Sequence, residues 1–192
     1  MRPPFLVLLA LLLNVATALA NPTDNCSAQR AHFLGRPNAA HFHALAQNHS
    51  CATALTEDNA ALQQLQKRVV QGHPWAARYL AQLLPGMDGG NLEDGLLALG
   101  LFADTHPTTL LQMAHDGELS LRNMKDALIM HPATLTEDRT AQIAGLQRRL
   151  RKIQQIKRST LQVEQTEAEQ ALQQAIAMVE ALAHKTEAAA RT

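Results

Sequence analysis

The chain has 192 residues, a formal net charge of zero, 46% hydrophobic and only 3% aromatic residues. Balanced charge excludes a whole-protein field that would pull it onto nucleic acid or a membrane surface. Abundant Ala, Leu and Gln, with no alternating β-branched run, favour helices and leave little for a sheet.

Met1 to Ala20 reads as a secretory signal peptide. Arg2 supplies the positive start, Phe5 to Leu13 is unbroken apolar sequence, and Ala18 and Ala20 form an A-x-A cleavage site. A membrane span needs ~20 apolar residues, and this run is about half that. Cleavage is expected at about Ala20. The mature chain would be periplasmic or secreted, and not an integral membrane protein. Export would place Cys26 and Cys51, the two cysteines, in an oxidising compartment. A disulfide between them would close a loop of ~25 residues, worth roughly 3 kcal/mol. A thiol-redox pair lacks the C-x-x-C spacing that tunes thiolate reactivity.

In chain order, Pro37 to Thr53 reads as a helix. Thr56-Glu57-Asp58 reads as the start of the next, with acids at the positive end of the dipole and Leu62, Leu65 and Val69 at helical spacing. Gly72 ends it. His73-Pro74 opens another, with Ala76, Tyr79, Leu80, Leu83 and Leu84 inside, and Pro85-Gly86 stops it. Asn91 to Asp104 is apolar nearly all round, the mark of a buried helix. Within it, Gly95 and Gly100 would let neighbouring helices approach closely. His106-Pro107 opens the next helix, Ser120 caps another, His131-Pro132 closes that one, and Thr136-Glu137-Asp138 begins the last stretch.

Acid-started helices followed by Pro-started ones recur at Glu57 to Pro74 and Glu93 to Pro107. Short amphipathic helices, tight turns and an early Pro resemble the HEAT-like class of helical-repeat proteins. That resemblance implies stacked short helical pairs, α-solenoid-like, with a compact bundle as the alternative. The expected fold is all-α, with residues 21–136 as a helical-repeat or bundle domain. Residues 137–192 would follow as a charged, Gln/Ala-rich C-terminal helix. Ile143, Leu146, Leu150 and Ile153 form a coiled-coil-like seam, and Leu172, Ile176, Val179 and Ala183 a second stripe. The phase between them is lost, so either one long helix or two helices bending near Ser159-Thr160 would satisfy the pattern. A projecting helix of this kind needs a partner, itself or another protein.

Trp75 and Tyr79, one turn apart, are candidate partner anchors, since such residues dominate interfaces. Core packing is the competing role for both. Arg148, Arg149, Arg151, Lys152, Lys157 and Arg158 form a basic run that suits an anionic envelope surface or acidic protein. The run lacks stacking aromatics, which argues against nucleic acid. Glu164, Glu167 and Glu169 follow, and a bend at Ser159 would let this acidic arm fold back over it. His32, His41 and His49 are weak metal candidates, because His41 and His49 lie two turns apart and no H-x-x-x-H occurs. No G-x-S-x-G, phosphate-binding glycine loop or paired carboxylate marks a catalytic centre, and no cofactor is implied. The expected function is an exported, non-enzymatic protein-binding protein, such as an envelope adaptor or an immunity-type inhibitor. A periplasmic metal binder using the N-terminal histidines and an anionic-surface binder using the basic helix are the alternatives.

Overall fold

A computed structural model describes residues 22–132 and 138–189; the expected signal peptide and the start at Thr136-Glu137 lie outside them. The protein is all-α, with no strand among the described residues. The helices are α1 (Pro22–Gly35), α2 (Ala39–Ala46), α3 (His49–Glu57), α4 (Asn59–Val70), α5 (Pro74–Leu83), α6 (Gly89–Ala103), α7 (Pro107–His115), α8 (Leu121–Ile129), α9 (Arg139–Gln154) and α10 (Gln162–Ala189). Single 3₁₀ turns at Leu84–Gly86 and Ser159–Leu161 follow α5 and precede α10.

Capping chemistry decides several boundaries. Asn38 accepts from the His41 N–H, Asp58 from that of Ala61, Ser120 from that of Asn123, and Asp138 from that of Ala141. Each satisfies a backbone donor that the first helical turn leaves open. Thr56 and Glu57 therefore finish α3, and Asp58 alone starts α4. The single helix expected over Pro37 to Thr53 is two, α2 and α3, separated at Gln47-Asn48. His73 and His106 sit at N-cap positions with Pro74 and Pro107 in the first turn, as expected.

Helix α6 lies at the centre, packed on α4, α5, α7 and α8. Leu96, Ala98, Leu99, Phe102 and Ala103 are buried along it. A Cβ added at Gly100 would lie 2.3 Å from the Ala127 carbonyl oxygen. Only glycine lets the α6 and α8 backbones meet at that spacing.

Arginines from other elements cap helix C-termini. Arg30 donates to the Ala54 carbonyl of α3 at 2.8 Å, and Arg68 Nε to the Leu34 carbonyl of α1 at 2.9 Å. Arg149 does the same for α8, through the carbonyls of Leu128 and Met130. The last carbonyls of a helix run out of intrahelical donors, and the negative end of the dipole favours a cation there.

The C-terminal region is two helices. After α9 the chain turns through Gln155–Arg158, and α10 runs back antiparallel to it. Arg139 meets Leu182 at one end, and Gln165 Nε2 donates to the Ile153 carbonyl at the other. Helix α10 also packs on α7 and α8. Leu146 and Ile153 of the first stripe, and Leu172 and Val179 of the second, are buried in a core continuous with the N-terminal helices. The Cys26–Cys51 disulfide joins α1 to α3 with 5.3 Å between Cα atoms. Among the described residues, no helix is long and apolar enough to cross a membrane.

Candidate functional site

The expected anchors separate. Trp75 is half-buried, its ring 5.3 Å from that of Phe42 and 6.0 Å from that of His43, with the Arg78 guanidinium 5.8 Å from its centroid. Arg78 is held by Glu118 and, at 3.6 Å, by Asp116. Tyr79, by contrast, is core, 1% exposed and packed edge-on against Phe33 at 5.2 Å. It presents nothing to a partner, because it lies on the face that α5 buries with Ala76, Leu80 and Leu83. Its hydroxyl has no hydrogen-bond partner among the described residues. Burial pushes the phenol up to about 12, against a smaller downward pull from Arg30. The unfolded phenol ionises near 10.0, so this group's contribution to stability is complete below that pH and lost as pH rises through about 12. Tyr79 is the only tyrosine in the chain. Its phenolate absorbance should therefore rise with a midpoint near 12 in the folded protein, and a midpoint near 10.0 would contradict its burial.

The histidines give no converging donor set among the described residues. The rings of His32 and His41 are 5.9 Å apart and tilted. Nδ1 of His41 lies 3.1 Å from the Arg36 carbonyl and 3.2 Å from Asn38 Nδ2, so it is engaged locally in either tautomer. The side chain of His49 lies outside the described set.

The basic run divides. Arg149 is 2% exposed and cannot serve as a surface contact. Its Nε and Nη2 donate to the two carboxylate oxygens of Asp104 at 2.9 and 3.0 Å, and its Nη1 to the α8 carbonyls. A planar fork meeting a carboxylate and two carbonyls is a geometry that lysine cannot reproduce. Arg148, Arg151, Lys152, Lys157 and Arg158 remain exposed. The acidic arm does not cover them. Glu164 pairs with His115 of α7 at 3.2 Å, Glu167 with Lys125 of α8 at 2.8 Å, and Glu169 accepts from Gln165. Helix α10 thus uses Glu164 and Glu167 to dock on α7 and α8, and the basic face of α9 stays open.

Two of the concavities among the described residues adjoin these elements. One, of about 320 Å³, runs between α8 and α10 and is lined by Lys125, Asp126, Ile129, Glu167, Ala175 and Met178, among others. Ile129 and Met178 are 39% and 66% exposed, and Leu182, one turn beyond Met178, is 47% exposed. The other, of about 300 Å³, lies between the end of α6, the exit of α8 and α9, around Asp104, His131, Arg148 and Lys152. Sequence reading placed none of Ile129, Met178, Asp104 and His131 in a binding site. The first pair is split across a hairpin, and the second is assembled from segments far apart in the chain.

Comparison with protein-family models, with curated proteins and with solved structures gives no match.

Proposed function

We propose that the chain is an exported, non-enzymatic protein-binding protein that seats an apolar segment of its partner in the groove between α8 and α10. The carrying observation is the pairing of Ile129 and Met178, large apolar side chains left in solvent across one groove. Singly exposed apolar residues are ordinary; a grouped set rimmed by polar ones marks an interaction surface. The rim here is the Lys125–Glu167 pair with Asp126, Gln170 and Gln174. Such a groove suits the apolar stripe of an amphipathic helix, with the rim fixing its orientation.

Export after cleavage near Ala20 belongs to the same reading, supported by the Phe5 to Leu13 run and by a disulfide of the kind that oxidising compartments maintain. We take residues 21–136 as a stack of short helical pairs in the α-solenoid manner and residues 137–192 as the arm that supplies the groove. An envelope adaptor and an immunity-type inhibitor both fit this format. A second copy of the chain is the alternative occupant.

The test compares tagged mature protein with an Ile129→Glu, Met178→Glu variant in capture from the source organism's envelope extract, alongside sedimentation of each protein alone. Both substitutions fall on exposed positions, so the thermal midpoint should be unchanged. Wild type should retain a specific protein that the variant loses. Retention of the same proteins by both would refute the groove, and a concentration-dependent dimer that the variant abolishes would assign the groove to a second copy.

A further inference from the structure

We propose that the cavity between the end of α6, the exit of α8 and α9 binds a phosphate group, held by Arg148, Lys152 and Nε2 of His131. The first ground is charge. Among the described residues, Asp104 is the only carboxylate lining the cavity, and the fork of Arg149 already occupies both of its oxygens. That pair cancels, leaving Arg148 and Lys152 as two uncompensated cations. Neither forms an ion pair with a carboxylate among the described residues. One carboxylate would leave half of this charge unmet, whereas a phosphate monoester, carrying about −1.5 to −2 at neutral pH, matches it.

The second ground is an unused polar atom. Nε2 of His131 is buried and has no hydrogen-bond partner among the described residues, while its ring lines the cavity. Buried polar nitrogens without partners are uncommon in folded proteins, and an oxyanion would supply the missing acceptor for an N–H there. The cavity keeps its shape because Gly145 carries no side chain: a Cβ there would lie 2.9 Å from Cε1 of His131. Lys152 donates to the Asp104 backbone carbonyl, which positions its ammonium at the rim with other donors free. The volume, about 300 Å³, is at the small end of ligand pockets. Beyond Lys152 it widens into an open cleft lined by Thr105, Thr108, Lys157 and Arg158 among others, where the remainder of a phosphorylated molecule or a lipid headgroup would lie.

His131 also makes the site pH-sensitive. Burial, then the nearby Arg149 and Arg148, lowers its pKa below the usual imidazole value, with Asp104 pulling the other way. The charged groups facing it are Asp104 from α6 and Arg148, Arg149 and Lys152 from α9. The ring is therefore neutral at neutral pH. A bound dianion would favour the imidazolium, so binding takes up a proton and tightens as pH falls.

Calorimetric titration of the mature protein with glycerol phosphate and with sulfate tests the site, beside co-sedimentation with vesicles of phosphatidylcholine with and without phosphatidic acid. Sulfate does not titrate in this range, so its pH dependence reports the protein. Saturable binding is expected, weakened about tenfold or more in an Arg148→Gln, Lys152→Gln variant of unchanged thermal midpoint. Sulfate binding should tighten from about pH 8 to about pH 6, and a His131→Gln variant should lose that dependence. Binding of phosphatidic acid vesicles without the soluble ester would assign the phosphate to a lipid headgroup, and the reverse to a soluble ester. No binding of any probe, or binding that the double variant retains, would overturn the proposal.

Discussion

Replacing Arg149 with Met is expected to destabilise the protein by about 3 kcal/mol, although the residue sits within a run of exposed basic side chains. Exchanging a whole buried ion pair for apolar groups is often neutral, because the desolvation of both charges disappears with them. Here only the arginine would go. The carbonyls of Leu128 and Met130 would keep their polarity and lose their donor at the closely packed meeting of α6 and α8. Asp104 is 40% exposed and can rehydrate, so its share of the loss is small. Asp104→Asn should accordingly cost much less than Arg149→Met. Arg149→Lys should fall between, since an ammonium keeps the charge and loses the fork. Urea unfolding of the three variants measures this order. An unfolding free energy for Arg149→Met within about 0.5 kcal/mol of wild type would show that α8 finds other partners for its end.

Loss of the Cys26–Cys51 bridge should have a comparable effect, roughly 3 kcal/mol for a loop of this length. The bridge is wholly internal, with Cys26 5% and Cys51 0% exposed. It ties α1 to α3, while Phe33 and Leu34 at the far end of α1 pack into the core and Arg68 caps its last turn. Without the bridge, the first turns of α1 should detach before the rest of the protein unfolds. Denaturation with and without reductant, paired with thiol counting, tests this. An unchanged unfolding midpoint with both thiols shown to be free would contradict it. Phe33, which packs on Tyr79, ties this end of the protein to α5. Partial detachment should therefore leave the alkaline titration of Tyr79 nearly intact.

Local chemistry carried much of the fold in readable form. His73-Pro74, His106-Pro107 and Ser120 mark helix starts because a fixed φ or a side-chain acceptor acts within one turn. The apolar run from Asn91 to Asp104 is the central helix, displaced only at its start. Where reading failed, the deciding contact was either a single cap or a distant one. Thr56-Glu57-Asp58 contains two plausible caps, and only Asp58 accepts from the next helix. The burial of Arg149 depends on Asp104, 45 positions away, and on the room that Gly100 leaves between α6 and α8. Nothing in a basic run distinguishes the one arginine that turns inward. The candidate sites were less legible still. Met178 reads as one more apolar residue in a Gln/Ala-rich helix until α10 folds back beside α8. His131 reads as a turn residue until α9 encloses its ring.

The disulfide and the open groove bear on one functional picture, and the groove is where it stands or falls. Photo-crosslinking in living cells of the source organism addresses it most directly, with the reactive side chain at Met178 and, as reference, at the exposed Glu93 of α6. A discrete adduct with one envelope protein, formed from position 178 and absent from position 93, is the predicted result. Equal adducts from both positions, or none from position 178, would contradict a partner-binding role for the α8–α10 groove.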